Sequence, residues 1–208
     1  MQTPSSLARR LRCGRVSSRE SRSSATTLGL AFVALTMLAG CRTSPPIGTE
    51  TPPMELSTSQ FDNGAIPKTF TCDGADISPA LVLGAPPVGT QSFALTVVDI
   101  DAPAGSFVHW VLYNVPATTR TLPEGVLKHE QLPDGSRQGM TDFDKIGYGG
   151  PCPPGKSPHR YVFSLYAVDG MLNLPKDATR KQLEKALRGH ILAHGELIGK
   201  YQRQAAQN

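Results

Sequence analysis

Long hydrophobic runs and common catalytic motifs are scarce in this chain of 208 residues. The apolar stretch at residues 28–39 is too short to cross a bilayer as a stable helix, which needs about 20 apolar residues. The chain also lacks a Gly-x-Ser-x-Gly nucleophile elbow and a His-Glu-x-x-His zinc motif, and no nucleotide-binding Walker loop is expected. These absences argue against a membrane-spanning protein and against two large classes of hydrolase. The sequence predicts a binding protein that is not an enzyme.

The positive charge is concentrated at the start of the chain. The formal net charge is +4, but six arginines lie within the first 22 residues and only Glu20 opposes them. The residues after position 40 therefore carry a net charge of about −1. The basic overall composition gives no support for a nucleic-acid partner.

Residues 1–40 have the organisation of an export signal. An Arg- and Ser-rich stretch precedes the apolar run, which ends in Leu38-Ala39-Gly40-Cys41. This ending resembles the lipobox of bacterial lipoproteins, in which the thiol of the cysteine is acylated. We therefore expect a signal peptide at 1–40, a lipid anchor on Cys41 and a location in the bacterial cell envelope, on the periplasmic or cell-surface side. An ordinary secretory signal followed by a chance cysteine is the alternative.

Residues 41–54 form a Ser-, Thr- and Pro-rich stretch with few apolar side chains, which predicts a flexible tether. The folded domain is then expected at 55–203. Within it, mostly apolar runs of strand length occur at 92–98, 107–115 and 161–168, with Pro/Gly turns between them. Strands that do not alternate regularly with helices favour an antiparallel two-sheet β sandwich of Greek-key type.

One helix is expected near the end of the chain. Leu183 and Leu187 are spaced by four residues, Asp177 is a candidate N-cap, and Gly189 is a natural stop. A last short strand is predicted at 196–201.

Several short motifs give the chain a family resemblance. They are Asp-x-Asp-Ala-Pro at 99–103, His109-Trp110, Gly-Pro-x-Pro-Pro at 150–154, His159-Arg160-Tyr161, Thr71-Cys72-Asp73-Gly74, Ser78-Pro79-Ala80-Leu81 and Thr141-Asp142-Phe143. Together they resemble the phosphatidylethanolamine-binding protein family, and in particular its bacterial Raf-kinase-inhibitor-like members (YbhB/YbcL type). The resemblance runs from about Glu55 to Tyr201. It implies two β-sheets with C-terminal elements packed near a ligand pocket.

The resemblance also implies which residues form the pocket for an anion or phosphate head group. These are Asp99, His109, Gly150, Pro151, His159 and Tyr161. Strand alternation places His109 on one face with Phe107, Val111 and Tyr113, and Asp99 is the expected carboxylate partner of a buried histidine. Backbone N–H groups of Gly149 and Gly150 are expected to point at the anion, and Asp101 is expected to bond its own loop.

The cysteines are consistent with export. If Cys13 is removed with the signal and Cys41 is lipidated, Cys72 and Cys152 remain, and an even pair in an oxidising compartment favours a disulfide. Two buried free thiols or a metal site are the alternatives.

Three functions remain open at this point. The first is the binding of a small anionic or phosphorylated ligand, and the second is the regulation of a protein partner, as an inhibitor of a protease or a kinase. The third is a metal-dependent hydrolase in which Asp99, His109 and His159 hold Zn²⁺. Either histidine is alternatively a packed core residue bonded to backbone. No cofactor is expected.

Overall fold

The computed structural model describes residues 51–155 and 157–203. Eight strands and one α-helix follow along this part of the chain. They are β1 (Leu56–Ser57), β2 (Leu81–Leu83), β3 (Ser92–Asp99), β4 (Phe107–Pro116), β5 (Thr121–Leu122), β6 (Arg137–Gln138), β7 (His159–Val168), α1 (Arg180–Leu187) and β8 (Ile191–Tyr201). The predicted mainly β fold is confirmed.

The strands form two antiparallel sheets. The larger has the order β6-β4-β3-β7-β8, and the smaller has the order β1-β2-β5. All eight residues of β3 are buried, because this strand is central in the large sheet and both of its faces are covered. The last strand is longer than the predicted 196–201, since β8 pairs with β7 from Ile191 to Tyr201, with one irregularity at Leu192.

The main hydrophobic core joins the two sheets. Leu56, Leu81 and Leu122 from the small sheet belong to the same buried cluster as residues of the large sheet. Burying a large apolar side chain contributes about 1.5–3 kcal/mol, so this cluster is the principal stabilising feature of the domain. Its large-sheet members include Phe93, Leu95, Val97, Trp110, Leu112, Phe163 and Leu165.

The opposite face of the large sheet packs against α1. Leu183 and Leu187 of the helix are buried in a second cluster with strand residues that include Ala94 and Tyr113. The predicted spacing of the two leucines is thus confirmed.

The N-cap of α1 differs from the prediction. Asp177 does not cap the helix; Thr179 does, and its side chain accepts a hydrogen bond from the backbone N–H of Gln182. The Gln182 side chain accepts the Thr179 N–H in return, at 2.8 Å. This reciprocal capping box satisfies two donors at once, which an aspartate at position 177 lies too early in the chain to do.

The start of the domain lies before residue 55. The backbone of Met54 donates to the carbonyl of His194 at 2.7 Å, and His194 donates to Pro52 at 3.1 Å. The end of the predicted tether is therefore attached to β8. The export signal at 1–40, the lipidation site Cys41 and residues 41–50 of the tether lie outside the described residues. None of the helices that the structure describes has the length and apolar character needed to cross a membrane.

Candidate functional site

A β-bulge in β4 determines where His109 points. Val97 of β3 pairs with Trp110, and the next residue, Val98, pairs with Val108. His109 is therefore an extra residue between two regular pairs, and the alternation of faces is interrupted at this position.

The bulge overturns the prediction that His109 shares a face with Val111 and Tyr113. Those two residues belong to the cluster on the α1 side of the sheet. The ring of His109 instead lies edge-on to the ring of Tyr161, with centroids 5.0 Å apart, and Tyr161 belongs to the core between the sheets. One additional residue in the strand thus brings His109 to the same side as Tyr161.

The tautomer of His109 is determined by its backbone partner. Its Nδ1 lies 2.8 Å from the carbonyl oxygen of Gly149. Because a carbonyl oxygen only accepts hydrogen bonds, Nδ1 carries the proton and donates it. The backbone N–H of Gly149 donates to the carbonyl of His109 at 2.8 Å in return, so two hydrogen bonds join the loop to strand β4.

Burial governs the charge of His109. Its side chain is 2% exposed, and the rings of Phe107 and Phe143 pack against it at 5.3 and 5.1 Å. Desolvation lowers the pKa of His109, and the opposing effect of the Asp99 and Asp142 carboxylates does not overcome it. Asp99 is not the hydrogen-bond partner of His109, which bonds the Gly149 carbonyl instead.

Asp99 pairs with His159. Nδ1 of His159 lies 2.7 Å from Oδ2 of Asp99, and both side chains are buried. The other carboxylate oxygen, Oδ1, accepts the backbone N–H of Asp101 at 2.9 Å. His159 and Asp99 thus come from strand ends that are neighbours in the sheet, β7 and β3, and the pair closes one side of the site.

Tyr161 is the remaining polar group of this cluster. It is paired with Asp99 across β3 and β7 and is 0% exposed, and its hydroxyl has no hydrogen-bond partner among the described residues. Burial, together with the nearby Asp99 carboxylate, raises the pKa of Tyr161 well above its usual value, so the hydroxyl stays protonated. It is a buried hydroxyl that lies near the Asp99 carboxylate without a hydrogen bond of normal geometry among the described residues.

Asp101 does not make the predicted turn. Its carboxylate binds the guanidinium of Arg160 through two bonds of 2.9 and 2.7 Å, and it also accepts the Arg160 backbone N–H at 2.8 Å. These bonds hold the pKa of Asp101 at about 2. Asp99 makes the Asx-type bond within the loop instead. Asp101 binds Arg160 because strands β3 and β7 place these two residues side by side.

The Gly149-Gly150 backbone does not offer free N–H groups to an anion. The N–H of Gly149 is used by His109, and the N–H of Gly150 donates to Oδ1 of Asp76 at 2.6 Å. Both positions require glycine for space: a Cβ at Gly149 would lie 2.6 Å from the Phe143 ring, and one at Gly150 would lie 2.6 Å from the Phe70 carbonyl. The glycines permit close packing of the loop, and the predicted anion nest is wrong.

A disulfide between Cys72 and Cys152 fixes the rest of this loop, with a Cα–Cα distance of 5.4 Å. The backbone N–H of Cys72 also donates to the carbonyl of Pro151 at 3.1 Å. The predicted pairing is confirmed, and the alternatives of free thiols or a metal site for these cysteines are excluded.

Residues 150–157 spell Gly-x-x-x-x-Gly-Lys-Ser, the pattern of a nucleotide-binding P-loop, so the expectation that the chain contains no such pattern is wrong. Three of the four intervening residues are prolines, which have no N–H to offer a phosphate. The segment leads into β7, whereas a P-loop leads into a helix. The match is therefore formal and does not indicate nucleotide binding.

The metal-site alternative is not supported by the geometry. Among the described residues, no group of three or more His, Cys, Asp and Glu side chains is placed to hold a metal ion. Asp99 contacts Nδ1 of His159, whereas a shared metal would require the carboxylate and the free ring nitrogens to converge on one point.

A surface recess opens beside His159. Its walls are formed by Asp101, Ser157, Pro158, His159, Arg160 and Lys200. Among the predicted site residues only His159 lines it, so this recess is adjacent to the buried cluster and distinct from the contacts of His109.

Comparison with known proteins shows the family to which the fold belongs. The family model described as phosphatidylethanolamine-binding protein matches residues 56–202 of the chain. The chain belongs to the phosphatidylethanolamine-binding protein family. The resemblance noted from the sequence motifs is thereby confirmed.

Relatives of this family occur in distant organisms. A UPF0098 protein of Aquifex aeolicus is 47% identical over 153 residues, which cover 72% of this chain and 89% of the relative. The UPF0098 protein PH1269 of Pyrococcus horikoshii is 43% identical over 159 residues, covering 75% and 80% of the two chains.

Solved structures of the family show the same fold. CT736 of Chlamydia trachomatis, described as a phosphatidylethanolamine-binding protein homologue, has a TM-score of 0.66 at 36% identity and covers 73% of this chain and 99% of its own. Escherichia coli YbcL, described as a member of the mammalian family, has a TM-score of 0.67 at 30% identity with the same coverage.

Two structural residues of the site had no individual sequence signal. Asp76 bonds Gly150 from 74 positions away, and no local pattern links the two. Phe143 lies within the Thr141-Asp142-Phe143 motif, but its packing against His109 follows from the fold. Long-range contacts of this kind are specified by strand pairing and are invisible in a local sequence window.

Proposed function

We propose that this member of the phosphatidylethanolamine-binding protein family binds a small anionic ligand, such as a phosphate head group, at His109, His159 and Tyr161. The observation that carries the proposal is a buried hydroxyl without a partner beside two oriented histidines. Nδ1 of each histidine has a protein partner, and the buried hydroxyl of Tyr161 has no hydrogen-bond partner among the described residues. Buried polar groups normally find partners, so an unpaired hydroxyl in this cluster favours a ligand.

The packing around these atoms supports the same role. Phe107 and Phe143 enclose His109 with apolar surface, which excludes water and strengthens hydrogen bonds to a bound group. The bonds of Nδ1 hold both imidazoles in one orientation before any ligand arrives. A site organised in this way loses little entropy on binding, although it is small and makes few contacts.

The test is calorimetric titration of phosphoethanolamine into the wild-type domain, His109→Ala and His159→Ala. We expect a wild-type dissociation constant in the micromolar to millimolar range, about −8 to −4 kcal/mol. Each substitution removes a charged or buried hydrogen bond and should cost about 1.5–3 kcal/mol, which is roughly a 10- to 150-fold loss of affinity.

A matched control is available in the same chain. His190 forms an exposed pair with Asp169, with 2.8 Å between Nδ1 and Oδ1, the same chemistry as the buried pair of His159. His190→Ala should bind phosphoethanolamine like the wild type. Equal binding by all four proteins would show that the cluster is purely structural.

We also propose that the domain is held at a membrane through a lipid on Cys41. The support is the run from Leu38 to Cys41 directly after an apolar stretch that is too short to span a bilayer. Such an anchor would place the binding site near the head groups of the envelope lipids.

A further inference from the structure

We propose that the end of the domain opposite to the candidate site docks onto the anionic lipid surface that holds the protein's anchor. The docking surface consists of Val88, Met171, Arg120 and Arg188. This inference rests on the lipid anchor at Cys41 proposed above. It adds the orientation of the domain on the membrane.

The two ends of the large sheet differ in what they carry. One end holds the candidate site, where β3 ends at Asp99 and β7 begins at His159. At the far end, Ser92, the first residue of β3, pairs with Val168, the last residue of β7. Because β7 has ten residues, each rising about 3.3 Å, the two ends are about 30 Å apart.

The chain reaches the domain from the far end. Pro53 forms a parallel bridge with His194, which lies in the first half of β8. Strand β8 begins at the far end, where Ile191 pairs with β7, so the parallel pairing means that the chain before Pro53 comes from that end. Cys41 precedes Thr51 by ten residues, which span at most about 36 Å. A lipid on Cys41 would therefore keep the far end close to the bilayer.

The two most exposed large apolar side chains of the described residues lie at the far end. Val88 is fully exposed, and Met171 is 60% exposed. The turn that carries Val88 packs at the start of β8, since a Cβ at Gly89 would lie 3.7 Å from the Leu192 side chain. The carbonyl of the residue before Met171 accepts the Ser92 hydroxyl at 2.6 Å. One hydrogen bond at the edge of the sheet thus joins the two segments.

Hydrogen bonds fix the backbone on which both side chains are presented. The turn at Val88 is closed by Thr90, whose N–H and hydroxyl donate to the carbonyl of the residue before Val88 at 3.3 and 2.8 Å. After Met171, the backbone N–H and carbonyl of Leu172 both bond the buried side chain of Asn114, at 2.8 and 2.9 Å. Because this backbone is already ordered, docking would cost little conformational entropy.

Ion pairing distinguishes two arginines from the others. The described residues include six arginines, and four of them bind a carboxylate: Arg137, Arg160, Arg180 and Arg203. Arg120 and Arg188 are exposed and form no ion pair with a described residue. Nη1 of Arg120 donates only to two nearby backbone carbonyls, at 2.8 and 2.9 Å.

Both unpaired arginines lie at the far end. The carbonyl of Arg120 accepts the N–H of Leu83 at 2.8 Å, just before the loop that leads into β3. Arg188 directly follows α1 and is two residues before His190. The carbonyl of His190 accepts the N–H of Asp169, the first residue after β7, at 3.1 Å. The Asp169 carboxylate is itself 2.8 Å from the His190 ring, so it does not neutralise either arginine.

An anionic lipid surface matches this combination. Unpaired guanidinium groups bind phosphate oxygens in two-point hydrogen bonds, and they are attracted to anionic head groups. Exposed apolar side chains beside them enter the boundary between head groups and acyl chains. A dissolved protein partner has to reach this surface by diffusion, whereas the anchor holds the bilayer within reach and so at a high effective concentration. Docking directs the candidate site away from the head groups beneath the domain, at a distance of about 30 Å.

Tryptophan fluorescence in lipid vesicles tests this orientation. The only tryptophan of the chain, Trp110, is 0% exposed and supplies a constant background. Val88→Trp places a reporter on the docking surface, and Ile100→Trp places a matched one at a 42% exposed apolar position beside Asp99. The full chain, purified from bacterial membranes, is reconstituted in phosphatidylcholine and phosphatidylglycerol with brominated acyl chains, which quench tryptophan within the bilayer. We expect quenching at position 88 and none at position 100.

The role of the two arginines is tested in the Val88→Trp protein. Arg120→Gln and Arg188→Gln should each lower the ratio of docked to undocked protein by about fivefold, which is the usual effect of one basic residue at an anionic surface. Arg203→Gln removes the same charge two residues after β8, at the end of the candidate site, and should leave the quenching unchanged. Vesicles of phosphatidylcholine alone should reduce the quenching as the arginine variants do. Equal quenching in both kinds of vesicle would overturn the proposed anionic partner.

The outcomes separate docking from anchoring, because flotation with vesicles and acyl mass on the N-terminal peptide report the anchor. An acylated, floating protein that is quenched equally at positions 88 and 100, or only at 100, would overturn docking and leave the anchor standing. A protein without acyl mass that floats with anionic vesicles and is quenched at position 88 would support docking and overturn the anchor. Absence of flotation would overturn both. A dimer that shields position 88 without vesicles would assign the surface to a second copy of the chain and overturn the proposal.

Discussion

His109 and His159 have identical side chains in different surroundings. Both direct Nδ1 to an oxygen of the protein, but the oxygen is an uncharged carbonyl for His109 and a carboxylate for His159. The first partner is neutral and fixes a tautomer, and the second is a buried carboxylate. At the scale of single residues, the two histidines are therefore not equivalent.

The lowered pKa of His109 predicts a pH dependence of stability. In the unfolded chain this imidazole titrates near 6.5, and in the folded domain it titrates at a lower pH. Between these two values the unfolded state binds more protons, so the free energy of unfolding falls as the pH is lowered through this range. Each pKa unit of separation corresponds to about 1.4 kcal/mol.

Thermal unfolding of the wild type and His109→Gln between pH 5 and pH 7.5, in buffers without phosphate or sulfate, tests this prediction. The wild type should lose more stability than the variant on acidification, because glutamine does not titrate. His129→Gln, at an exposed position, serves as the control and should follow the wild type. Parallel curves for the wild type and His109→Gln would contradict it.

At the scale of elements, the site depends on interruptions in regular structure. The bulge in β4 brings His109 to the face of Tyr161, and the glycine loop after residue 148 packs against Phe143 and Phe70 too closely for any Cβ. Bulges and tight loops of this kind re-aim side chains at the ends of strands. The regular parts of the strands hold the core, and the irregular parts build the site.

The disulfide between Cys72 and Cys152 should be a major source of stability for these loops. It closes a segment of 80 residues, for which the chain-entropy account gives about 4–5 kcal/mol. For a domain of this size that corresponds to a fall in melting temperature of about 8–20 °C on reduction. The measurement is thermal unfolding with and without reductant.

The double variant Cys72→Ala, Cys152→Ala provides the control. It should melt near the temperature of the reduced wild type and should not respond to reductant. An oxidised wild type that melts at the same temperature as the double variant would show that the cross-link adds nothing to the native state.

At the scale of the whole molecule, the site collects residues that are far apart in the chain. The bond between His159 and Asp99 spans 60 residues, and the bond between His109 and Gly149 spans 40. Three neighbouring strands, β4, β3 and β7, end or bulge at the same part of the large sheet, and this order brings the groups together. The positions of the site residues relative to one another therefore depend on the strand order of the large sheet.

Membrane attachment is a prediction for the whole protein. Cys41→Ala should release the protein from the membrane fraction of a bacterial cell, because acylation at this thiol supplies the hydrophobic anchor. Fractionation and mass measurement of the N-terminal peptide test it, with Cys13→Ala as a control that should keep the protein in the membrane fraction. Membrane association of Cys41→Ala equal to that of the wild type, with no acyl mass on the wild-type peptide, would refute it.

The sequence by itself determined the family, the mainly β class, the central strands, the pairing of Cys72 with Cys152 and the two leucines of α1. These features depend on local patterns: apolar runs of strand length, helical spacing and short motifs in a fixed order. The position of Asp99 beside a histidine was also foreseen, although its partner is His159.

The tertiary structure alone decided how the site residues are oriented. The face of His109 depends on a bulge, the N–H groups of Gly149 and Gly150 are used by His109 and Asp76, and Asp101 binds Arg160. Each of these outcomes comes from pairing between segments that are distant in sequence. Strand register is set by the packing of whole faces, so a single inserted residue changes which groups meet, and no local pattern records that change.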